Sequence, residues 1–238
     1  QELIEMIKYV DGIYLDFGAP EKVYGLEETS ELKDIARNAI LADLKLIPAP
    51  IRHLGTGRTK EILARMKDHL VNKGVEVITN CKVAELIVSD NKAVGIAACN
   101  GEKYEAKYII AAPGRDGSEW LSEEAKRLGL KTAINPVDIG VRVELPAPVM
   151  EHLTNTIYES KLIFYSKSFD DKVRTFCMNP YGDVVLENND GLITVNGHSH
   201  ATKKTENTNF ALLVSKTFTE PFKEPIAYGK YVARLANL

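Results

Sequence analysis

The chain has few of the residues that staple or anchor small proteins. Only three of its 238 residues are cysteine, Cys81, Cys99 and Cys177. None stands in C-x-x-C spacing, which excludes a disulfide framework and a zinc ribbon. No apolar run approaches the length needed to cross a bilayer. The segment Gln1 to Glu5 has neither the basic nor the apolar part of a signal peptide. Aromatics are 8% and the net charge is −3, which argues against a broad nucleic-acid footprint. A cytoplasmic protein with no nucleic-acid or membrane partner is expected, its oligomeric state left open. No initiator methionine is present, and Tyr228 to Leu238 reads as a helix with no capping glycine or proline after it. Together these predict an internal fragment of a longer chain.

What is present is ordinary globular material, 45% hydrophobic and 26% charged, enough for a sizeable core. Residues 1–50 read as a helical lead-in, with Leu3, Ile4, Met6, Ile7 and Val10 on one helix face and Ser30 as N-cap of a second helix. His53 to Arg58 reads as a loop. A helix over 59–73 follows, with Ile62, Leu63, Met66 and Leu70 as its buried stripe. Val75 to Thr79 alternates as a strand. Strands over 82–88 and 93–99 and the Asn100-Gly101 hairpin signal predict a three-stranded meander. Tyr108 to Ala112 has the continuous apolar character of a strand buried on both faces. It ends at Pro113-Gly114, and a helix over 118–128 follows. From residue 137 onward, short strands at 138–144, 162–166, 173–178, 184–187 and 192–196 predict a mostly antiparallel sheet. A boundary is expected near 131–136.

This order resembles the middle of the two-domain FAD-binding fold of glutathione-reductase-like enzymes. Five ordered stretches sharpen the resemblance: Arg52 to Thr56, Asp138 to Glu144, Phe176 to Pro180, Asn196 to Ser199, and Asn207 to Ala211. They are similar to stretches of the bacterial family of uncharacterised FAD-dependent dehydrogenases. The resemblance implies an α/β (α+β overall) fragment with three parts: a helical lead-in (1–50), a partial FAD-binding domain (51–134) and a β-rich substrate domain ending in a cut-short helix (135–238). It also implies an FAD-dependent oxidoreductase acting on an unknown small molecule. Two departures stand out. Cys177-Met178-Asn179-Pro180-Tyr181-Gly182 replaces the family's Cys-Met-Cys-Pro-Gly-Gly, so dithiol chemistry is in doubt. The G-x-G-x-x-G fingerprint, whose glycines let the backbone reach the pyrophosphate, is absent. The chain by itself is therefore expected to bind FAD poorly and to be inactive.

Candidate residues follow from both lines of reading. The resemblance places Val83 and the small-residue turn Ala111-Ala112-Pro113-Gly114 beside the flavin nucleotide. By themselves these residues also read as a core valine and a plain turn. Arg52, His53, Gly55 and Thr56 precede a helix whose amides could meet an anion, and they equally read as an ordinary helix start capped by Thr56. The resemblance turns Gly55 and Thr56 toward a flavin contact, and His53, which could titrate near neutrality, is kept as a catalytic candidate. Cys177 is a candidate nucleophile only through its matching motif; as chemistry it reads as a buried strand cysteine. His198 and His200, two apart, share a strand face without a third metal ligand. His198 is kept as a catalytic candidate, and Asn196 and Ser199 as substrate contacts. Asn207 and Asn209 could orient carbonyls or serve turns. Two other functions fit the sequence: a β-rich module binding protein or RNA, and a Cys177-nucleophile enzyme.

Overall fold

The computed structural model describes residues 2–25, 29–114, 116–189, 191–200, 203–218 and 224–238. Its elements are α1 (Glu2–Asp16), α2 (Ser30–Leu41), β1 (Lys45–Ile47), α3 (Thr56–Asn72), β2 (Val83–Ser89), β3 (Lys92–Ala98), β4 (Lys103–Glu105) and α4 (Ser118–Arg127). There follow β5 (Val137–Pro146), α5 (Ala147–Ile157), β6 (Lys161–Tyr165), β7 (Lys172–Asn179), β8 (Asp183–Asn189), β9 (Leu192–His198), β10 (Asn207–Lys216) and α6 (Pro225–Ala236). The fold is α+β, and every ladder between these strands is antiparallel. Two compact units form, one from residues 1–69 with 134–238 and one from 70–133.

The larger unit is built on a five-stranded sheet ordered β1-β6-β7-β10-β5, with β8 and β9 as a separate hairpin. β10 lies between β5 and β7 and pairs with β5 over all ten of its residues, Asn207 opposite Pro146 to Lys216 opposite Val137. Its run Phe210 to Val214 is apolar without alternation, as a central strand's can be. The pairing of β10 with β7 slips between Asn209 and Ala211, whose partners are Asn179 and Phe176. Two residues of β7 therefore occupy the space of one, a β-bulge, and Cys177 within it takes φ 48°. Ile62, Ala147, Ile157 and Met178 are almost wholly buried in this unit.

The smaller unit is the meander β2-β3-β4 with α4. Asp90 and Asn91, at φ 49° and 59°, form the two-residue turn that suits the twist of a hairpin. β2 is an edge strand, and side chains of α4 occupy its open groups. Leu86 N–H donates to Glu124 Oε2 at 2.8 Å, Trp120 Nε1 to Ala84 O at 2.8 Å, and Arg127 Nη2 to Leu86 O at 2.8 Å. Arg127 also grips both oxygens of Glu124, at 2.8 and 2.7 Å. Glu124 is only 5% exposed, yet the Arg127 guanidinium holds its carboxyl below the ordinary glutamate range.

Several expectations are corrected. The structure gives no strand to 75–79 or to 108–112. Val75, Val77 and Ile78 are close to half exposed, and Tyr108 and Ile110 are 79% and 92% exposed. No described strand pairs with either segment, so neither can be a strand buried on both faces. α3 begins at Thr56, not Thr59, and buries only Ile62 of the expected stripe, with Leu63 and Leu70 about half exposed. α1 buries none of its residues. The cap of α2 is Thr29, whose Oγ1 accepts from Leu32 N–H at 3.2 Å, one residue before the expected Ser30. β1 falls within the region read as helical, and α5 and β10 fall where the reading placed none of its five strands.

Replacing Glu124 by Ala leaves the Leu86 N–H and the Arg127 guanidinium without their acceptor, and should destabilise the smaller unit by about 1–3 kcal/mol. Hydrogen exchange at the Leu86 amide reads the effect, and unchanged protection would contradict the role given to Glu124. Because the folded-state pKa is depressed, this contribution is present above the unfolded glutamate value of about 4.3 and is lost as pH falls below it. The wild-type amide should thus lose protection in acid more steeply than the E124A amide.

Candidate functional site

A seam of buried polar side chains runs through the larger unit where β5, β7, β9 and β10 converge. Asn209 and Thr208 are fully buried, Asn179 is 4% exposed and Ser199 7%. Arg142 on β5 donates through Nη1 to Asn209 Oδ1 at 2.6 Å and to the Cys177 carbonyl at 3.1 Å. Its Nη2 reaches Asn196 Oδ1 at 3.5 Å. Asn179 Nδ2 donates to Cys177 O at 2.8 Å and Asn209 Oδ1 at 3.3 Å, and Ser199 Oγ donates to Asn179 Oδ1. Register explains the meeting. Asn209 faces Asn179 directly, and Arg142 faces Ala211 two residues along, so the three share one sheet face. The bulge turns the Cys177 carbonyl into this group while its N–H donates to Glu159 Oε1 at 3.0 Å. Gly197 lets β9 approach. A Cβ there would lie within 3.0 Å of Asn179 Nδ2, Arg142 Nη1 and Asn209 Oδ1.

Ser199 links the seam to a cavity of about 630 Å³ lined by His53, Leu54, Gly55, Thr56, Thr59, Lys60, Leu63 and Ser199. Four residues singled out in the sequence, His53, Gly55, Thr56 and Ser199, thus line one space. Gly55 is buried at φ 77°, a conformation that favours glycine, and its carbonyl accepts from the Thr59 N–H and hydroxyl, both at 3.0 Å. The Thr56 N–H, one of the groups a helix start leaves open, donates to Ser199 O at 3.0 Å. That amide is therefore occupied, and Thr56 is the first helical residue, not a side-chain cap. His53 stacks on Tyr158, ring centres 4.3 Å apart, and Tyr158 packs on Tyr24 at 4.9 Å. Burial holds the His53 imidazole below its ordinary pKa, and its Nε2 is buried without a hydrogen-bond partner. Burial also pushes the Tyr158 phenol up to about 12. Both rings are therefore neutral near pH 7.

The other candidates are placed as follows. Arg52 binds Asp11 through Nε and Nη2, each at 2.6 Å, and donates to Pro20 O, so its charge is already matched. Cys177 is half-buried, and its sulfur has the Asn179 amide at 3.8 Å. His198 lies 4.6 Å from His200 between ring centres, and His200 Nε2 meets Asp183 Oδ2 at 2.7 Å. Among the described residues no group of three or more His, Cys, Asp or Glu side chains could hold a metal. Asn196 belongs to the seam and also donates to Glu187 Oε1 at 2.8 Å. Asn207 lies outside the seam's hydrogen bonds, its backbone exchanging bonds with the Thr205 hydroxyl. In the smaller unit, Val83 opens β2 opposite Ala98 and is half-buried. Ala111, Ala112 and Gly114 are exposed and Pro113 is half-buried; Gly114 has φ 68° with open space around it.

Arg142, Asn179, Gly197 and Tyr158 were not singled out as site residues in the sequence. The signal for Arg142 was available: an arginine between Val141 and Val143 in the middle of a strand needs acceptors. Tyr158 sits at φ 65° as the C-cap of α5, a conformation uncommon for an aromatic residue, and nothing local announces it. Asn209→Ala removes the acceptor shared by Arg142 and Asn179 and should cost about 1–3 kcal/mol. Gly197→Ala should cost a similar amount, about 1–3 kcal/mol, by overpacking. Denaturant midpoints check both, and a seam that tolerates both changes with no shift would not be the structural centre described here.

No protein-family profile matches the chain. An uncharacterised protein of Clostridium beijerinckii is 27% identical to it over 215 residues, 82% of this chain and 39% of that protein. Protein FixC of Escherichia coli strain K12 is 37% identical over 82 residues, 33% of this chain and 18% of FixC. Protein FixC of Shigella flexneri is 35% identical over the same length. The chain thus spans about two fifths of the first relative's length and under one fifth of FixC, and its similarity to FixC covers a third of its own residues.

Proposed function

We propose that the chain is part of an FAD-dependent oxidoreductase. In this reading residues 70–133 supply one flank of the nucleotide cradle, and the five-stranded unit supplies the substrate-binding part. The observation that carries the reading is the pair of unpaired apolar segments, Val75 to Thr79 and Tyr108 to Ala112. Each has the composition of a strand, yet Ile78 and Ile110 stand exposed, as do Leu70 and Val71 at the end of α3. Apolar chain of this kind is stable in water only when another strand or layer covers it. A βαβ unit carrying the missing glycine fingerprint, contributed by a longer chain, would provide that cover. The partial similarity to FixC and the 39% coverage of the Clostridium protein support the same conclusion.

The residues present fit one side of such a nucleotide. The small exposed residues Ala111, Ala112 and Gly114 leave room for close backbone approach, and Val83 stands at the start of the meander. FAD, when bound, would supply the hydride chemistry, and the protein would supply position and electrostatics. His53 is the first candidate to hold or pass a proton, because burial keeps its imidazole neutral beside the 630 Å³ cavity. Asn196, Ser199 and Asn209 are better described as a framework behind that cavity, since their side-chain oxygens already serve the seam, and Asn207 opens β10 opposite Pro146. His198 and Cys177 are secondary candidates.

Two measurements test the reading. The 238-residue chain titrated with FAD should show no tight saturable binding, whereas the longest natural form carrying it should be yellow as purified. A colourless long form, or tight binding by the short chain, overturns the assignment. In the long form, His53→Gln should slow flavin reduction or reoxidation by about 10²-fold or more if His53 moves the proton. An unchanged rate removes His53 from that role.

A further inference from the structure

A second cavity, of about 300 Å³, shares His53 in its lining with the space described above but none of that space's other residues. Three lysines line it: Lys22, Lys203 and Lys204. Two of them rest on aromatic rings, Lys22 Nζ 4.2 Å from the centre of Tyr24 and Lys204 Nζ 4.1 Å from the centre of Tyr181. No described carboxylate forms an ion pair with any of the three. Asp183 lies within electrostatic range of Lys203 but is bonded to His200 at 2.7 Å. Glu151 takes the Tyr181 hydroxyl hydrogen bond. Three ammonium groups that share a pocket without their own counter-ions repel one another, and a ligand of opposite charge relieves that repulsion.

We propose that this pocket binds a compact dianion of the phosphate or dicarboxylate class, gripped by Lys22, Lys203 and Lys204 between the Tyr24 and Tyr181 rings. The volume lies at the lower end of the range for small-molecule sites, which suits a headgroup-sized ligand better than an extended polymer. The exposed Asn155 in the lining offers a further polar contact. The inference does not rest on the flavin reading, because none of its residues is assigned to the nucleotide.

The test is isothermal titration of the longest natural form carrying the chain, first with inorganic phosphate and then with succinate. At least one should bind saturably at one site, and the tighter of the two identifies the headgroup. The double substitution Lys203→Gln with Lys204→Gln should weaken that binding by about tenfold or more per lysine. A control pair, Lys8→Gln with Lys73→Gln, makes the same change in net charge at exposed positions remote in sequence and should leave binding within about twofold, as expected if only contact charges matter at physiological salt. The proposal fails if neither anion saturates, or if the control pair weakens binding as much as the pocket pair. Flavin content read from the same samples tests the oxidoreductase assignment separately.

Discussion

A guanidinium placed among buried strands must find acceptors there, because an unpaired buried charge costs far more than any single packing contact returns. Arg142 meets that demand in part, through Nη1 with Asn209 and the Cys177 carbonyl while its buried Nε has no partner, and much of the larger unit follows from it. The carbonyl reaches inward only because β7 bulges and Cys177 adopts φ 48°. Asn179 is aligned by the same bulge and holds Ser199. Ser199 in turn accepts the Thr56 amide and so fixes where α3 begins. His53 stands three residues before that point, which places its ring at the cavity wall. Gly197 is required because the group is packed so closely that no side chain fits beside it. The candidate site is thus an outward extension of a structural constraint, and its residues divide into those that satisfy Arg142 and those left free to meet a ligand.

Much of the fold was legible in local chemistry. The meander, its turns, α4 and five strands of the larger unit follow from alternation and from turn residues such as Asn100-Gly101. Elements whose pattern is not local were missed. β10 is apolar along its centre because it lies between two partners, and such a run has no period to read. α5 begins at Ala147-Pro148, where proline reads as a break although it also suits the first turn of a helix. The bulge at Cys177 left no mark either, since Thr175 to Asn179 contains no glycine. Of the site, His53, Gly55, Thr56 and Ser199 were named in the sequence, but their convergence on one cavity depends on a contact between positions 56 and 199 that no local pattern encodes.

The two segments that read as strands and did not form them bear on the smaller unit. Strand propensity is largely a statement about fitting a pleated, half-buried surface. Val75 to Thr79 and Tyr108 to Ala112 have the propensity but not the surface. The meander shows what happens when the surface exists. At the edge of β2, Glu124, Trp120 and Arg127 take up the open backbone groups, which is how a protein protects an edge that is to remain an edge. No such protection covers 108–112, where Ile110 stands 92% exposed. The contrast between a guarded edge and an unguarded apolar segment in one small unit favours a covering partner over a tolerated irregularity.

Partner-counting also separates the cationic groups near His53. Arg52, adjacent to His53 in sequence, was the natural choice for an anion contact, but its fork is filled by Asp11 and Pro20. Its role is to tie α1 to the segment leading into α3. The lysines at 22, 203 and 204 carry no motif and would pass in a sequence as solvated surface charge. They differ from Arg52 in forming no ion pair with a described carboxylate, and Lys22 and Lys204 rest instead on aromatic rings, which satisfy an ammonium only weakly. Charge that is already neutralised builds the fold; charge left without a counter-ion at the rim of a pocket is available to recognise one.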